Sequence, residues 1–358
     1  MDFDNFDQYS EIQKSLNALY SKITSDDLES PINNRILESL NKAGFVNIYE
    51  NGNEINPLNI LSLVFKQAGY HGLNLDLFSF FIDVPLIFQS TKSSNSSHLR
   101  DHLSLNKIIA TALKEPYSHV EEGFYTFGIE IPNGYSITGL KHFIENYNES
   151  DSILISFQTH QGVKIALINK DLLIHEDQVI TTGKSVTQIT FKNLEIPFEN
   201  IIETNDVLEL LNEIDLTQKL MRSMFIEGVT KKMMELTSAY TAERKQFDKP
   251  IATFQAVSHR AASMFIDQEC LSLVNQQALY ALSMKTNNKE NYVLTAKAWA
   301  ADVSHRSSYS AQHLHGGIGV SKEYSLWKYC LLAKEHEIIH DSAGVCLNKI
   351  GKNITLNQ

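Results

Sequence analysis

Apolar residues recur at helical spacing near the start of the chain, at Ile12, Leu16, Leu19, Tyr20 and Ile23. That period predicts a helix with one buried face. The stretch PINNRILESLNKAG, Pro31 to Gly44, reads as a short helix opened by proline and closed by glycine. Ile60–Ala68 and Leu75–Phe88 are more apolar and predict buried segments. The period then changes. Tyr135–Ile144, Ser152–Phe157, Val163–Ile168 and Thr187–Ile196 are short and β-branched, and in places they alternate apolar with polar. Asn133-Gly134, Gln161-Gly162 and Thr182-Gly183 punctuate them as turns, and Pro197 closes the last strand. Such runs predict a small antiparallel β domain. Val207 to Phe247 contains no proline and a single glycine, so one or two long helices fit. Ala256–Met284, Tyr292–His315 and Glu323–Ile350 add three more, and long unbroken helices predict an antiparallel bundle. The expected fold class is α+β, with an N-terminal helical domain over 1–105, a central antiparallel β domain over 106–203 and a C-terminal four-helix bundle over 204–358. No internal repeat is visible, and Ser93–Ser97 (SSNSS) reads as a loop.

Composition narrows the class of function. The 358 residues are 43% hydrophobic and 20% charged, with a formal net charge of −11. A nucleic-acid or anionic-membrane partner needs a basic face, which this balance does not supply. The start, MDFDNFDQYS, is acidic, whereas a secretory signal needs a basic start and an apolar run, so export is not expected. The most apolar window, Gly72–Phe88, is interrupted by Asp76 and Asp83 and is short for a bilayer span. Cys270, Cys330 and Cys346 show no CxxC spacing, which predicts a reducing, cytoplasmic compartment.

Two motifs carry the chemistry. In AERKQFDKPIATFQ, Ala242 to Gln255, Arg244 offers a planar guanidinium that matches a pyrophosphate. Phe247 offers an aromatic face for an adenine, and Gln255 both a donor and an acceptor. In QHLHGGIGVSKEY, Gln312 to Tyr324, the glycines Gly316, Gly317 and Gly319 follow a long helix and let a phosphate approach bare backbone. His313 and His315 are two residues apart on a helix and do not share a face. No carboxylate or cysteine cluster joins them, so a metal site is not expected. Together these phrases resemble the two flavin-capping motifs of the acyl-CoA dehydrogenase family. The resemblance implies FAD as cofactor. It also implies that Arg244, Phe247, Gln255, Gln312, Gly316 and Gly317 reach across a subunit interface to the adenosine diphosphate end of a neighbour's FAD. Where the family usually has glycine after the phenylalanine, this chain has Asp248.

The same resemblance marks departures. Lys114 stands in Leu113-Lys114-Glu115-Pro116 where the family has a threonine against the flavin ring, and YSHVEEG replaces a usual Gly-Ser-Asp. The family's Trp-Ile-Thr phrase reads Phe143-Ile144-Glu145, while Gly139, Phe191 and Pro197 keep the β framework. The family removes an α-proton with a glutamate some two dozen residues beyond the glycine pair. Counting places His340 there, with Asp341 beside it. A second family location for the base falls on Gln218, which does not ionise. The tail Tyr324–Ile350 is similar to heteromeric acyl-CoA dehydrogenases that shorten bulky acyl-CoA side chains such as those of steroids. The expectation is therefore a non-base subunit that completes the FAD site of a second acyl-CoA dehydrogenase-like chain in a heterotetramer. Its substrate is an acyl-CoA or other acyl thioester, and an electron-transferring flavoprotein is the acceptor. The rivals are a self-sufficient homo-oligomeric enzyme using Asp341 or His340, a flavin monooxygenase of the same fold, and a non-catalytic structural partner.

Overall fold

A computed structural model describes residues 6–25, 32–45, 48–49, 56–74, 77–91, 108–115 and 125–356. Pro31, Leu75, Asp76, the Ser93–Ser97 loop, Pro116 and the YSHVEEG stretch lie outside them. Contacts divide the chain into two compact units, Met1–Leu75 with Leu216–Gln358, and Asp76–Asp215. The boundaries expected near 105 and 203 both fall inside the second unit.

The first unit opens with α1 (Phe6–Ser25), α2 (Ile32–Lys42) and α3 (Pro57–Tyr70). The α1 stripe predicted by its spacing is inside, with Leu16 and Tyr20 fully buried. Pro57 starts α3 at a position that needs no backbone donor, and the Asn56 side chain accepts the Leu58 N–H at 3.0 Å. α2 ends where Gly44 takes φ +81°. The later helices of this unit are α5 (Val207–Glu243, which begins in the second unit), α6 (Gln255–Ser283), α7 (Lys289–His315), α8 (Leu326–Ile338) and α9 (Ala343–Leu356). The apolar seam of α5, α6 and α7 is built by Ile226, Leu271, Ala300 and Val303. Two glycines let α3 and α5 touch backbone to backbone. A Cβ on Gly69 would overlap Phe225 O, and one on Gly228 would overlap Lys66 O.

Val207–Glu243 is a single helix. The stretch from Glu323 to Ile350, expected as one helix, is two. α8 stops at Ile338, and His340 and Asp341 take φ of +53° and +76° before α9 starts. Histidine and aspartate enter the left-handed region more readily than most residues, so the chain turns here without a glycine or proline to signal it. The C-terminal bundle therefore carries five helices rather than four.

The second unit contains α4 (Val84–Ser90), preceded by a π-turn over Ser79–Asp83, and an eight-stranded sheet. The strands are β1 (Ala110–Ala112), β2 (Phe127–Ile131), β3 (Gly134–Ile144), β4 (Ser152–Thr159), β5 (Gly162–Asn169), β6 (Ile174–Val179), β7 (Ser185–Pro197) and β8 (Ile201–Ile202). Their order is β6-β7-β3-β2-β4-β5-β8, with β1 on β4. The expected antiparallel sheet is mixed, because β1 and β2 both run parallel to β4. Reading strands as successive hairpins does not reveal those pairings. Gly139 faces Phe191 and Gly134 faces Pro197 across β3 and β7. β6 is exposed at every residue and carries His175, Glu176 and Asp177, the mark of a charged edge strand. Inside the sheet, Lys141 is fully buried and meets Glu115 at 2.9 Å and Ser156 Oγ at 3.1 Å. Burial holds the Lys141 ammonium down to about 8, against the pull of Glu115.

Candidate dinucleotide clamp and the region of the missing base

The end of α5 builds the first half of the candidate site. Its last turn closes with Arg244 N–H donating to Tyr240 O at 2.8 Å. The chain then forms a hairpin of β9 (Lys245–Gln246) and β10 (Lys249–Pro250), sealed by Ile251 N–H on Arg244 O at 2.8 Å. The two residues at its tip, Phe247 and Asp248, take φ of +52° and +62°. Positive φ at both central positions is the twist that tight hairpins require. The family's glycine is therefore replaced by a residue that still reaches the left-handed region. The tip lifts Phe247 into solvent, 87% exposed, with Phe254 edge-on at 6.3 Å. Arg244 is exposed too, and Gln255 is the first residue of α6.

The end of α7 builds the second half. Gly316 caps it at φ +62°, its N–H donating to Gln312 O and His313 O. The glycines have different reasons. Gly316 is needed for its backbone angle, and Gly319 because a Cβ would sit 2.9 Å from His315 Cβ. Gly317 has neither reason, since a Cβ there would meet nothing within 4 Å. Gln312 is half-buried, while His313 is exposed.

The two halves are joined by residues outside the expected set. The buried His315 ring stacks on Tyr240 at 4.4 Å and 20°, and Tyr240 donates its hydroxyl proton to His315 O at 3.3 Å. His315 Nδ1 lies 2.8 Å from Ala311 O, which can only accept, so Nδ1 carries the proton. Nε2 then accepts from the Tyr324 hydroxyl at 3.2 Å. Burial lowers the His315 pKa, opposed by the Ala311 carbonyl, which keeps the ring neutral in this role. Tyr240 lies one turn before Arg244, so the stack fixes the hairpin end of α5 against the glycine loop. Both motifs thus present exposed groups at one end of the unit. The sequence offered Tyr240 and Tyr324 only as motif spacing, and a ring stack has no linear signature.

The region of the base is different in chemistry. Lys219, next to Gln218 on α5, meets Asp341, next to His340, at 3.0 Å. The two family locations for a base are thus brought together. Asp341 Oδ2 also accepts from Lys349 at 2.8 Å. Arg222 is fully buried one turn on, with Nη1 3.4 Å from His336 Nδ1, and His336 lies 4.2 Å from the Phe225 ring. Lys297 is also fully buried and donates to His336 O at 2.8 Å and Glu337 O at 3.1 Å. Desolvation first, then the charges of Arg222 and Lys219, bring the Lys297 ammonium down to about 7, against the pull of Cys346 and Asp341. Burial raises the nearby Cys346 thiol. Four basic side chains therefore gather where the family resemblance marks a carboxylate, and two of them engage Asp341. In the second unit, Lys114, which stands for the flavin-facing threonine, forms an ion pair with Asp215. Glu145 pairs with Lys184 at 3.5 Å.

Comparison with known proteins matches residues 217–355 to the model described as the acyl-CoA dehydrogenase C-terminal domain. Acyl-CoA dehydrogenase FadE27 of Mycobacterium tuberculosis is 29% identical over 231 residues, spanning 62% of this chain and 61% of that one. Among solved structures, the ChsE4–ChsE5 complex of Mycobacterium tuberculosis superposes with a TM-score of 0.86 at 21% identity, over 99% of both chains. PigA with FAD and proline gives a TM-score of 0.86 at 20% identity, over the whole of both chains. These likenesses establish the acyl-CoA dehydrogenase fold across the chain. Among the described residues no helix is long and apolar enough to cross a membrane, and no three His, Cys, Asp or Glu side chains gather as a metal site.

Proposed function

We propose that this chain is an FAD-dependent oxidoreductase of the acyl-CoA dehydrogenase kind, acting as the subunit that lacks the base and completes a partner's FAD site. The reaction is α,β-dehydrogenation of an acyl thioester. Bound FAD supplies the hydride acceptor. This chain's part is to hold the adenosine diphosphate end. Arg244 faces the pyrophosphate, Phe247 packs on the adenine, and Gln255, Gln312 and the open backbone at Gly316 and Gly317 complete the clamp. The exposed Phe247 and the vacant side of Gly317 fit such a ligand.

The observation that carries the reading is the cation cluster of Lys219, Arg222, Lys297 and Lys349 at the base position. α-Proton removal needs a carboxylate free to accept. Asp341 is instead a counter-ion joining α5 and α9, and Gln218 has no basic form. The partner therefore supplies the carboxylate and the flavin-ring contacts. The heteromeric ChsE4–ChsE5 neighbour lends support through its fold, and PigA, solved with FAD, through the same fold. The substrate is an acyl-CoA or related thioester, the acceptor an electron-transferring flavoprotein, and the compartment the cytoplasm. In a complex with a base-bearing partner, His340→Gln and Asp341→Asn leave turnover per bound flavin within about 3-fold of wild type. A loss of 1,000-fold or more in either variant would assign the base to this chain and overturn the reading; losses of general acid–base groups fall in the range ~10²–10⁴.

A further inference from the structure

A groove of about 370 Å³ lies among α1, α3 and α5. Lys14 and Asn17 of α1 line it, with Lys66, Gln67 and Tyr70 of α3 and Lys231 of α5. The formal net charge of the chain is −11, yet this lining carries three lysines and no carboxylate. Lys66 is committed, because it forms an ion pair with Glu227, which is 2% exposed on α5. Glu227 also accepts from Asn275 Nδ2 of α6 at 2.8 Å, so Lys66 answers a charge held in the interior. Lys14 and Lys231 make no ion pair among the described residues. Two like charges facing one hollow favour an anion between them. Gln67 adds a second, independent sign. It is 6% exposed, and its side-chain amide has no hydrogen-bond partner among the described residues, although a buried amide ordinarily has one. Gln67 lines the groove, so the unanswered amide opens into it. Asn17 Oδ1 accepts from His71 Nε2 at 2.8 Å, which leaves the Asn17 N–H groups to donate. The Tyr70 hydroxyl donates away from the groove, to Glu235 Oε2 at 2.7 Å, so Tyr70 contributes a ring wall.

We propose that this groove binds a small organic dianion, a phosphate monoester or a dicarboxylate, with Lys14 and Lys231 as the cations and Gln67 and Asn17 as hydrogen-bond donors. Two uncommitted positive charges match two negative ones. Ammonium and amide N–H groups converging on an anion form charge-assisted hydrogen bonds. A volume of about 370 Å³ lies at the small end of ligand cavities, which suits a few carbon atoms besides the anionic groups. The site stands apart from the dinucleotide reading, because it shares no residue with either motif. It accounts for Gln67, whose amide would otherwise be buried with its donors and acceptor unanswered.

The test is calorimetric titration of the full chain with glycerol phosphate, with succinate and with uncharged glycerol. Lys231→Met, Gln67→Met and a control, Lys192→Met at an exposed position of β7, are compared with wild type, each checked for an unchanged melting curve. Should Gln67→Met melt lower, Asn17→Ala on the exposed side of α1 takes its place. At least one dianion should bind one to one, and glycerol should not bind. Lys231→Met and Gln67→Met should each weaken the dianion about 10-fold or more, while Lys192→Met stays within about 2-fold of wild type at ~0.15 M ionic strength. Gln67→Met changes no charge, so its effect separates a shaped site from general attraction to lysines. Binding of glycerol phosphate alone identifies the ligand as a monoester, of succinate alone as a dicarboxylate, and of both as a dianion of either kind. The proposal is overturned if neither dianion binds, if either groove variant keeps wild-type affinity, or if Lys192→Met loses as much.

Discussion

Lys297 has no exposed surface, and its ammonium rests on two backbone carbonyls. With its pKa lowered to about 7, the folded chain releases this proton near neutrality, whereas the unfolded chain keeps it to about 10.5. Between those values the unfolded state binds more protons, so unfolding free energy rises with pH, by at most ~1.4 kcal/mol per unit. Below pH 7 both states are protonated and this contribution is flat. Denaturant melts of wild type and Lys297→Met at pH 6 to 9 check the sign. The wild type should gain stability relative to the variant above pH 7, and parallel curves would contradict the assignment. Asp341 sits on the other side of the same cluster. Asp341→Asn removes the carboxylate that touches Lys219, which is 1% exposed, and Lys349. Leaving a buried ammonium without its counter-ion costs about 3 kcal/mol, read as a lower urea midpoint at unchanged slope. At this scale the sequence was informative wherever a residue belonged to a phrase. Arg244, Phe247 and Gly316 could be proposed because their phrases resemble the family's two motifs. The His315 stack could not, because its partner Tyr240 lies on another helix.

Among elements, the tight crossing of α3 and α5 and the glycine loop after α7 give opposite expectations for the same kind of change. Gly228→Ala places a methyl on Lys66 O, so the helices must separate, at about 3 kcal/mol in a chemical melt. Gly317→Ala meets open space and changes stability by less than ~0.5 kcal/mol. If Gly317 is open because a phosphate passes there, that silent change should still lower flavin retention in the assembled complex. Equal stability losses in the two variants would contradict this division. Long helices were legible from the absence of breakers, as in Val207–Glu243, and the strands β3, β4, β5 and β7 from their β-branched runs. The division of the last helix was not, since His340 and Asp341 supply the left-handed turn that glycine usually marks. β6 was missed because an exposed edge strand, IHEDQV, has no buried face to write an alternation into sequence.

Over the whole molecule, the features that resemble a self-contained dehydrogenase and those that do not are separated in space. The groups proposed to hold a neighbour's dinucleotide stand at the ends of α5 and α7, where Arg244 and Phe247 are exposed. At the place of the base, the buried Lys219, Arg222 and Lys297 gather with the half-buried Lys349, and Lys219 and Lys349 engage Asp341. The fold itself was predictable, because helix, sheet and helix follow in order and the motifs have a fixed separation. The cation cluster was not, because its members come from three helices, Lys219 and Arg222 from α5, Lys297 from α7 and Lys349 from α9, and read individually as surface residues. The central claim is that this chain serves a flavin whose ring and base belong to another subunit. The most direct measurement is the FAD content of the chain purified alone, by absorbance, with its mass by light scattering and its turnover of acyl-CoA. The account predicts much less than one flavin per chain and no turnover, both restored by a base-bearing acyl-CoA dehydrogenase subunit. One tightly held FAD per chain, with acyl-CoA oxidised by the chain alone, would contradict it.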